Sequence, residues 1–351
     1  MPRLHAVLLC TAALLAALPA QRQGQGQGQG RRGGFGRPIE APKLEHFTYE
    51  AGALQSKKAT GEVAYSILLP KEYADEANKD KTYPWALWLP GFGGAGDVIG
   101  RGGAQALDRL RGEDKIPAMA LVVYNSRRSV YTNGEAAGDT EDVIVGDLLE
   151  QLQKKYRLAT DRKQRALMGE SAGGFGALKI AMRHPGVFGA VAAHSAAILP
   201  ADPKDLAGMT ENIVMRSLRG GLAQEFGDPI DAAKWAAHMP MALAASMKPA
   251  DLEGLQIYFD AGTEDHYDLY KPNQQLDKVM TEHEIPHVFR SVEGGGHAWS
   301  SPSMTDSVAQ SLRFVGLALA GKDAVALTKE ALAAAAKADA AKDGEGKDKD
   351  E

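Results

Sequence analysis

Cysteine is nearly absent from this sequence, since Cys10 is the only one among 351 residues. Leu9 precedes it at a position where a lipid-attachment motif has a small residue, so we do not expect a lipid anchor. The chain after residue 10 therefore has no thiol. This absence excludes a cysteine nucleophile, a disulfide framework and a thiolate metal site from that part of the chain.

An excess of one charge is missing as well. The chain has 40 basic and 45 acidic residues, and the formal net charge is only -5. Acidic and basic residues are interspersed, so a basic stripe of the kind that binds nucleic acid is excluded. The hydrophobic content of 44% is sufficient for a core, and we expect a small or neutral partner.

The N-terminal apolar run, residues 6–18, is too short to cross a membrane. Arg3 precedes this run, and Pro19 and Ala20 follow it. This pattern predicts a secretory signal peptide over residues 1–20, with cleavage after Ala20. We therefore expect a secreted or periplasmic protein without stable membrane insertion. The alternative of a buried N-terminal helix is disfavoured because the next segment could not cover it.

Two further segments lack the apolar variety needed for a core. Residues 21–39 are rich in glycine and glutamine, which predicts a flexible linker. Residues 321–351 are rich in alanine, lysine and acids, and we expect a disordered or partly helical tail. The folded domain is accordingly predicted to span residues 40–320.

Short runs of β-branched and aromatic residues alternate with helical patterns between the two flanking segments. The predicted strands are 63–69, 85–89, 119–124, 165–168, 188–193, 255–259 and 287–292. The predicted helices are 140–156, 172–184, 272–284 and 302–319. Such alternation predicts an α/β domain with a mostly parallel central sheet and helices on both faces.

Residues 200–253 interrupt the alternation with helical fragments, at 213–221 and 232–238, and no convincing strand. Insertions in α/β domains are commonly found over the carboxyl ends of the strands, where ligands bind. We expect this helical insertion to cover the site. An excursion that serves packing alone is the alternative.

The pentapeptide Gly169-Glu170-Ser171-Ala172-Gly173 follows a predicted strand and precedes a predicted helix. Gly-x-Ser-x-Gly alone is a weak signal, but this context predicts a sharp strand-to-helix turn that exposes the serine hydroxyl. The Ala172 N–H at the helix start is then available to an oxyanion. Ser171 is our candidate nucleophile.

A serine nucleophile needs a histidine base, which in turn needs a carboxylate. The chain order serine, acid, histidine favours Asp265, which follows the strand at 255–259. Its rivals are three other acids of the same stretch: Glu264, Asp268 and Asp260.

The candidate base is His297, in the glycine loop that follows the last predicted strand. His194 and His266 are its rivals. Because three glycines, 294–296, precede His297, we expect an adaptable loop rather than a packed one.

A second oxyanion donor is expected from the loop after the strand at 85–89. Gly91 and Gly93 flank Phe92, so the Phe92 N–H is the candidate donor; a simple tight turn is the alternative. Gly91, Gly93 and Gly96 also spell a dinucleotide-binding pattern. The acid expected at the end of the next strand is missing, so we predict no cofactor.

Other polar clusters have weaker signals. Residues 125–128 and Tyr131 could line the pocket after a strand, or could simply be exposed. Asp139, Glu141 and Asp142 resemble a metal cluster, but acids at a helix start favour its dipole without any ion. We therefore predict no metal.

The chain resembles the esterase D-like branch of the α/β-hydrolases, which includes feruloyl and acetyl xylan esterases, S-formylglutathione hydrolases and mycolyltransferases. The most specific segment is GESAGGFGALKIAMRHPGVFGAVAAHSAA, residues 169–197, supported by AYSILLPKEY, FDAGTEDHYD and EGGGHAWS. The resemblance spans residues 45–318. It implies an α/β-hydrolase fold with a helical insertion after the sixth strand.

The resemblance also implies residue roles. Ser171, Asp265 and His297 take the places of nucleophile, acid and base. Phe92 and Ala172 take those of oxyanion donors, with Gly91 beside them. Trp299, which matches a His-x-Trp pattern of the family, joins them as an oxyanion or substrate-binding residue. Pro90 stands where many relatives have histidine, which changes the expected pocket shape and leaving-group side.

We therefore expect an exported serine carboxylesterase acting on a carbohydrate-linked ester of the feruloyl or acetyl type. An acyltransferase of the mycolyltransferase type and a non-catalytic binding protein on a hydrolase scaffold are the alternatives.

Overall fold

The computed structural model describes residues 42–92, 98–125, 129–134, 138–209, 222–223, 225–299 and 301–347. The predicted signal peptide, Cys10 and the predicted linker lie outside these residues, as does the helical fragment expected at 213–221. Within the described ranges, no helix combines the length and apolar character needed to cross a membrane.

One eight-stranded sheet forms the centre of the protein, in the order β1-β2-β4-β3-β5-β6-β7-β8. The strands are β1 Phe47–Leu54, β2 Val63–Pro70, β3 Trp85–Leu89, β4 Ala120–Asn125, β5 Arg165–Glu170, β6 Ala190–His194, β7 Gln256–Gly262 and β8 His287–Val292. β2 pairs antiparallel with β1 and β4, and the other neighbours pair in parallel. The predicted mostly parallel sheet is confirmed.

The inner strands are buried along their whole length, as the unbroken apolar run of β3 illustrates. Parallel strands covered on both faces favour such runs, which made them visible in the sequence. The structure adds β1, which the sequence analysis missed. β1 is an edge strand in which most side chains between Phe47 and Leu54 are at least partly exposed, so it lacks the apolar run of an inner strand.

Helices cover both faces of the sheet. They are α1 Gly103–Gly112, α2 Thr140–Asp142, α3 Leu149–Lys155, α4 Ala172–Arg183, α5 Ala232–Ala236, α6 Pro240–Ser246, α7 Tyr270–Glu282, α8 Pro302–Leu319 and α9 Ala324–Lys347. The helix expected over 140–156 is interrupted by a π-helical segment, Val143–Leu148. α1 was not predicted, because glycines bound it and its exposed side is strongly charged.

Two hydrophobic cores lie on opposite faces of the sheet. α4 contributes Leu178 and Ile180 to one of them, and α8 contributes Leu312 and Val315 to the other. The carboxyl ends of β3, β5, β6, β7 and β8 meet at one edge because these strands run in parallel. The loops that follow them therefore bring residues distant in sequence to a common place.

Candidate active site

Ser171 is the single residue between β5 and α4, and it has φ of 54° and ψ of -118°. A non-glycine residue with positive φ is strained, and such strain is commonly found at functional positions. The backbone on both sides holds the conformation: the Ser171 N–H donates to the His194 carbonyl at 2.8 Å, and the Ser171 carbonyl accepts from the Phe175 and Ala197 N–H groups.

The two glycines of the pentapeptide allow this turn to pack against β3. A Cβ atom at Gly173 would lie 1.9 Å from the Leu89 carbonyl oxygen, and one at Gly169 would lie 2.3 Å from the Gly173 carbonyl oxygen. Both positions therefore require glycine. Ala172 begins α4 directly after Ser171, and the first N–H groups of a helix have no acceptor within that helix.

Asp265 and His297 form a hydrogen-bonded pair at the ends of β7 and β8. His297 Nδ1 lies 2.8 Å from Asp265 Oδ2, and the Tyr267 N–H donates to Asp265 Oδ1 at 2.8 Å. An ionised carboxylate only accepts, so Nδ1 is the donor and Nε2 of the neutral ring has the free lone pair. The Asp265 side chain is fully buried, whereas that of His297 is 13% exposed.

The glycine loop before His297 is packed, so the expectation of a merely adaptable loop was wrong. A Cβ atom at Gly262, the last residue of β7, would lie 2.1 Å from the Gly295 carbonyl oxygen. The Glu264 N–H donates to that same carbonyl at 2.8 Å. Close contact with the acid loop explains the glycines and holds Asp265 and His297 together.

The His297 loop is also tied to the end of β6. The Ser195 hydroxyl accepts from the Ala298 N–H at 3.1 Å, and Ser195 is fully buried with φ of 42°. Since the carbonyl of the preceding residue, His194, accepts the Ser171 N–H, this dipeptide links the nucleophile turn to the base loop. Sequence reasoning missed Ser195, which has no motif around it.

The rival acids of Asp265 have other environments. Asp260 is fully buried and accepts from Tyr258 at 3.0 Å, while its carboxylate also contacts the His194 ring. Glu264 and Asp268 are exposed.

Neither rival histidine is hydrogen-bonded to the Asp265 carboxylate in the described part of the chain. His194 is buried, with Nε2 lying 2.8 Å from the Ser311 hydroxyl. His266 is exposed, and its ring centroid lies 5.8 Å from that of His297. Of the three histidines, His297 is therefore the one that combines a buried carboxylate partner with an accessible ring.

The loop after β3 lies directly beside the nucleophile. A Cβ atom at Gly91 would be 3.5 Å from Ser171 Cβ and 3.5 Å from Glu170 Oε1. The Tyr131 hydroxyl donates to the Pro90 carbonyl, which ties this loop from the other side. Phe92 is the last described residue of the loop and is half-buried, whereas Gly93 and Gly96 of the dinucleotide-like pattern lie outside the described residues.

Tyr131 is fully buried, so its role differs from the exposed or pocket-lining one considered from sequence. Its carbonyl accepts from Lys179 Nζ, which also donates to Glu141 Oε2 at 2.8 Å. Residues 126–128 lie outside the described part of the chain.

Glu141 is more than a helix-start acid, and that interpretation requires correction. It is buried and forms ion pairs with Lys179 and with Arg183 at 2.8 Å, while His184 Nε2 also lies 2.8 Å away. Burial opposes its ionisation, but hydrogen bonding to His184 and the charges of Lys179 and Arg183 prevail and lower the Glu141 pKa strongly. The sequence pattern could not reveal this cluster, because its members come from separate elements.

The insertion packs against the site through a third hydrophobic group, here termed the insertion cluster. Its buried members are Val130, Phe175, Ala197, Leu199, Leu222, Phe226, Trp235, Met239 and Leu269. Phe92 and Tyr267 pack against it while half-buried. The Tyr267 ring also meets the His297 ring edge-on at 4.6 Å. Side chains of the insertion are thus continuous with those of the loops after β3 and β7.

Glu170 is a buried carboxyl group immediately before the nucleophile, and sequence reasoning did not single it out. It is 4% exposed, and Oε2 has no hydrogen-bond partner among the described residues. Burial raises the Glu170 pKa to about 7, although the nearby charges of Arg101 and His297 oppose this rise.

Trp299 packs against Trp88, with ring centroids 5.9 Å apart. Trp88 also stacks on His194 at 5.5 Å, so the residue after the base loop is anchored in the core. This position explains the aromatic residue two places after His297 as a packing residue.

No group of three or more histidine, cysteine or acidic side chains in the described ranges is arranged to hold a metal. A cavity of about 750 Å³ lies at the opposite edge of the sheet, lined among others by Gly189, Leu252 and Ile285. It contains none of the candidate catalytic residues.

The chain matches a family model described as Putative esterase over residues 56–306, which include every candidate site residue. The chain belongs to this esterase family. It is therefore a serine hydrolase of the carboxylic ester class.

Solved structures show the same fold. A ferulic acid esterase superposes with a TM-score of 0.62 at 24% identity, covering 79% of this chain and 100% of that one. An S-formylglutathione hydrolase from Agrobacterium tumefaciens superposes with a TM-score of 0.61 at 15% identity, covering 80% of this chain and 99% of that one. A fluorophosphonate-binding serine hydrolase of Staphylococcus aureus superposes with a TM-score of 0.61 at 16% identity, covering 77% of this chain and 99% of that one.

These likenesses confirm the α/β-hydrolase fold that the resemblance implied. Among curated proteins, no sequence matches this esterase.

Proposed function

We propose that this esterase is exported and hydrolyses a carbohydrate-linked ester of the feruloyl or acetyl type through a Ser171–His297–Asp265 triad. The hydrogen bond between Asp265 and His297, at the same sheet edge as the strained turn of Ser171, is the observation that carries the proposal. A buried acid, a partly accessible histidine and a serine at a strand-to-helix turn are the three parts of this mechanism.

Acylation begins when His297 Nε2 takes the Ser171 hydroxyl proton as the oxygen attacks the ester carbonyl. Asp265 stabilises the imidazolium that forms. The Phe92 and Ala172 N–H groups donate to the oxyanion. His297 then protonates the leaving alcohol, which departs and leaves an acyl group on Ser171.

Deacylation repeats these steps with water. His297 takes a proton from the water as it attacks the acyl carbonyl, and returns this proton to Ser171 Oγ as the acid leaves. The enzyme is restored without a cofactor.

The aromatic side chains beside the triad support a feruloyl substrate. Phe92 and Tyr267 are half-buried against the insertion cluster, and Tyr267 contacts the His297 ring. A flat aromatic acyl group can stack on such side chains. The similarity to a ferulic acid esterase supports the same choice. Export is supported by the signal-peptide pattern of residues 1–20.

Hydrolysis of matched feruloyl, acetyl and short-chain nitrophenyl esters tests this function. We expect wild type to favour the feruloyl ester and Ser171→Ala to lose hydrolysis of all three. Assays with an added sugar acceptor distinguish hydrolysis from acyl transfer. Free acid as the main product would support the proposal, whereas a sugar ester as the main product would contradict it.

The proposed base also predicts a pH dependence. Proton transfer needs the neutral imidazole of His297, so kcat/KM should fall at acid pH, where the ring binds a proton. A pH profile between 4 and 9 measures this. A rate that stayed flat down to pH 4 would contradict the assignment of His297.

A further inference from the structure

Glu170 differs from the other buried carboxyl groups near the site. Each carboxylate oxygen of Asp265 and of Asp260 has a hydrogen-bond partner, and one of the partners of each residue is a histidine. Glu170 Oε2 has no such partner among the described residues, although the residue is only 4% exposed. A buried carboxyl oxygen without a partner is costly and calls for a functional explanation.

The position of Glu170 suggests which groups it serves. It directly precedes Ser171, and Oε1 lies 3.5 Å from where a Cβ atom at Gly91 would stand. The Gly91 backbone N–H lowers the Glu170 pKa against the effect of burial, as a hydrogen-bond donor facing the carboxylate does. Gly91 is in turn next to Phe92, the candidate oxyanion donor. The carboxyl group thus connects the nucleophile turn to the loop after β3.

We propose that Glu170 is a positioning residue of the esterase reaction: its carboxyl group holds the Gly91 N–H and so directs the next peptide group, that of Phe92, toward the oxyanion. Because the Gly91 N–H is held by the Glu170 carboxyl group, it does not donate to the substrate. The Tyr131 hydroxyl holds the same loop through the Pro90 carbonyl. This inference rests on the proposed function.

The charge of Glu170 adds a second effect. Arg101, His297 and His194 are the charged or titratable groups that favour its ionised form, against the penalty of burial. The Glu170 carboxylate and a protonated His297 therefore attract each other. With a pKa raised to about 7, Glu170 changes charge within the working range of the base.

Two variants distinguish the positioning effect of Glu170 from the effect of its charge. Glu170→Gln keeps an acceptor for the Gly91 N–H but cannot ionise, so kcat should stay close to wild type at alkaline pH. The acid limb of its kcat/KM profile should shift from that of wild type, because the side chain at position 170 no longer changes charge in this pH range. Glu170→Ala removes the acceptor, and kcat should fall about 10- to 100-fold with little change in KM.

The control is Glu113→Gln, an exposed carboxyl group after α1, which should leave kcat and the pH profile unchanged. A wild-type kcat in Glu170→Ala would overturn the inference. If the alanine variant fails to fold, an unshifted acid limb in the folded Glu170→Gln would overturn it instead. Loss of the proposed function itself has a separate signature, since wild type would then hydrolyse none of the esters.

Discussion

At the scale of single residues, the candidate triad and its supports differ in how visible they are in the sequence. Ser171 and His297 lie within glycine patterns next to strand ends, so their positions could be predicted. Asp265 could be separated from its rivals only by the structure, which shows its contact with His297. Glu170 and Ser195 were missed, since burial and contacts between distant loops cannot be deduced from their local sequence.

The acid assignment gives a residue-scale prediction. Asp265→Asn should reduce kcat by about 10³- to 10⁴-fold, because an amide cannot hold the imidazole in the required tautomer. The matched control is Asp268→Asn, since Asp268 is an exposed acid of the same loop. Steady-state kinetics on the best ester compares them. Equal activity of the two variants would show that Asp265 is not the acid.

At the scale of structural elements, the turn between β5 and α4 depends on close backbone packing against β3. The elements were predictable because apolar runs and helical periodicity reveal buried strands and amphipathic helices. Their contacts were not, as the packed loop at Gly295 shows: glycine there reflects proximity to Gly262 rather than freedom.

The glycine at position 173 supports a prediction at this scale. Gly173→Ala places a methyl group 1.9 Å from the Leu89 carbonyl oxygen, so β3 or the loop after it must shift. We expect a loss of about 1–3 kcal/mol in the free energy of unfolding, together with reduced kcat. Urea unfolding and kinetics measure both effects.

Gly186→Ala is the matched control, because a Cβ atom at Gly186 would meet nothing within 4 Å. Its stability and activity should stay near wild type. A Gly173→Ala variant as stable and active as this control would contradict the packing argument.

At the scale of the whole molecule, the insertion is joined to the rest of the fold by polar as well as apolar contacts. His238, just after α5, lies 3.8 Å from Glu141 and packs edge-on against Phe226. Burial lowers the His238 pKa to about 3, and the positive charges of Lys179 and Arg183 act in the same direction. The sequence predicted the insertion but not this attachment, which depends on residues some 50 to 100 positions apart.

This attachment predicts a pH-dependent stability. The unfolded chain protonates His238 near its ordinary pKa of 6.5, whereas the folded protein resists protonation down to about 3. Its stabilising contribution is therefore complete above about 6.5 and is lost as the pH falls from there to about 3. Urea unfolding at several pH values should show that the free energy of unfolding declines less steeply with falling pH in His238→Gln than in wild type.

The control for this experiment is His283→Gln, which replaces an exposed histidine after α7. The free energy of unfolding of His283→Gln should decline with falling pH as steeply as that of wild type. If His238→Gln and wild type lost stability in parallel, the buried neutral histidine would not be the cause.

The most direct test of the central claim is covalent labelling of the folded wild-type protein with a fluorophosphonate, followed by peptide mass spectrometry. We expect one adduct per chain, located on Ser171, and no adduct in a folded Ser171→Ala variant. A folded wild type that remains unlabelled, or an adduct on another serine that persists in Ser171→Ala, would contradict Ser171 as the nucleophile.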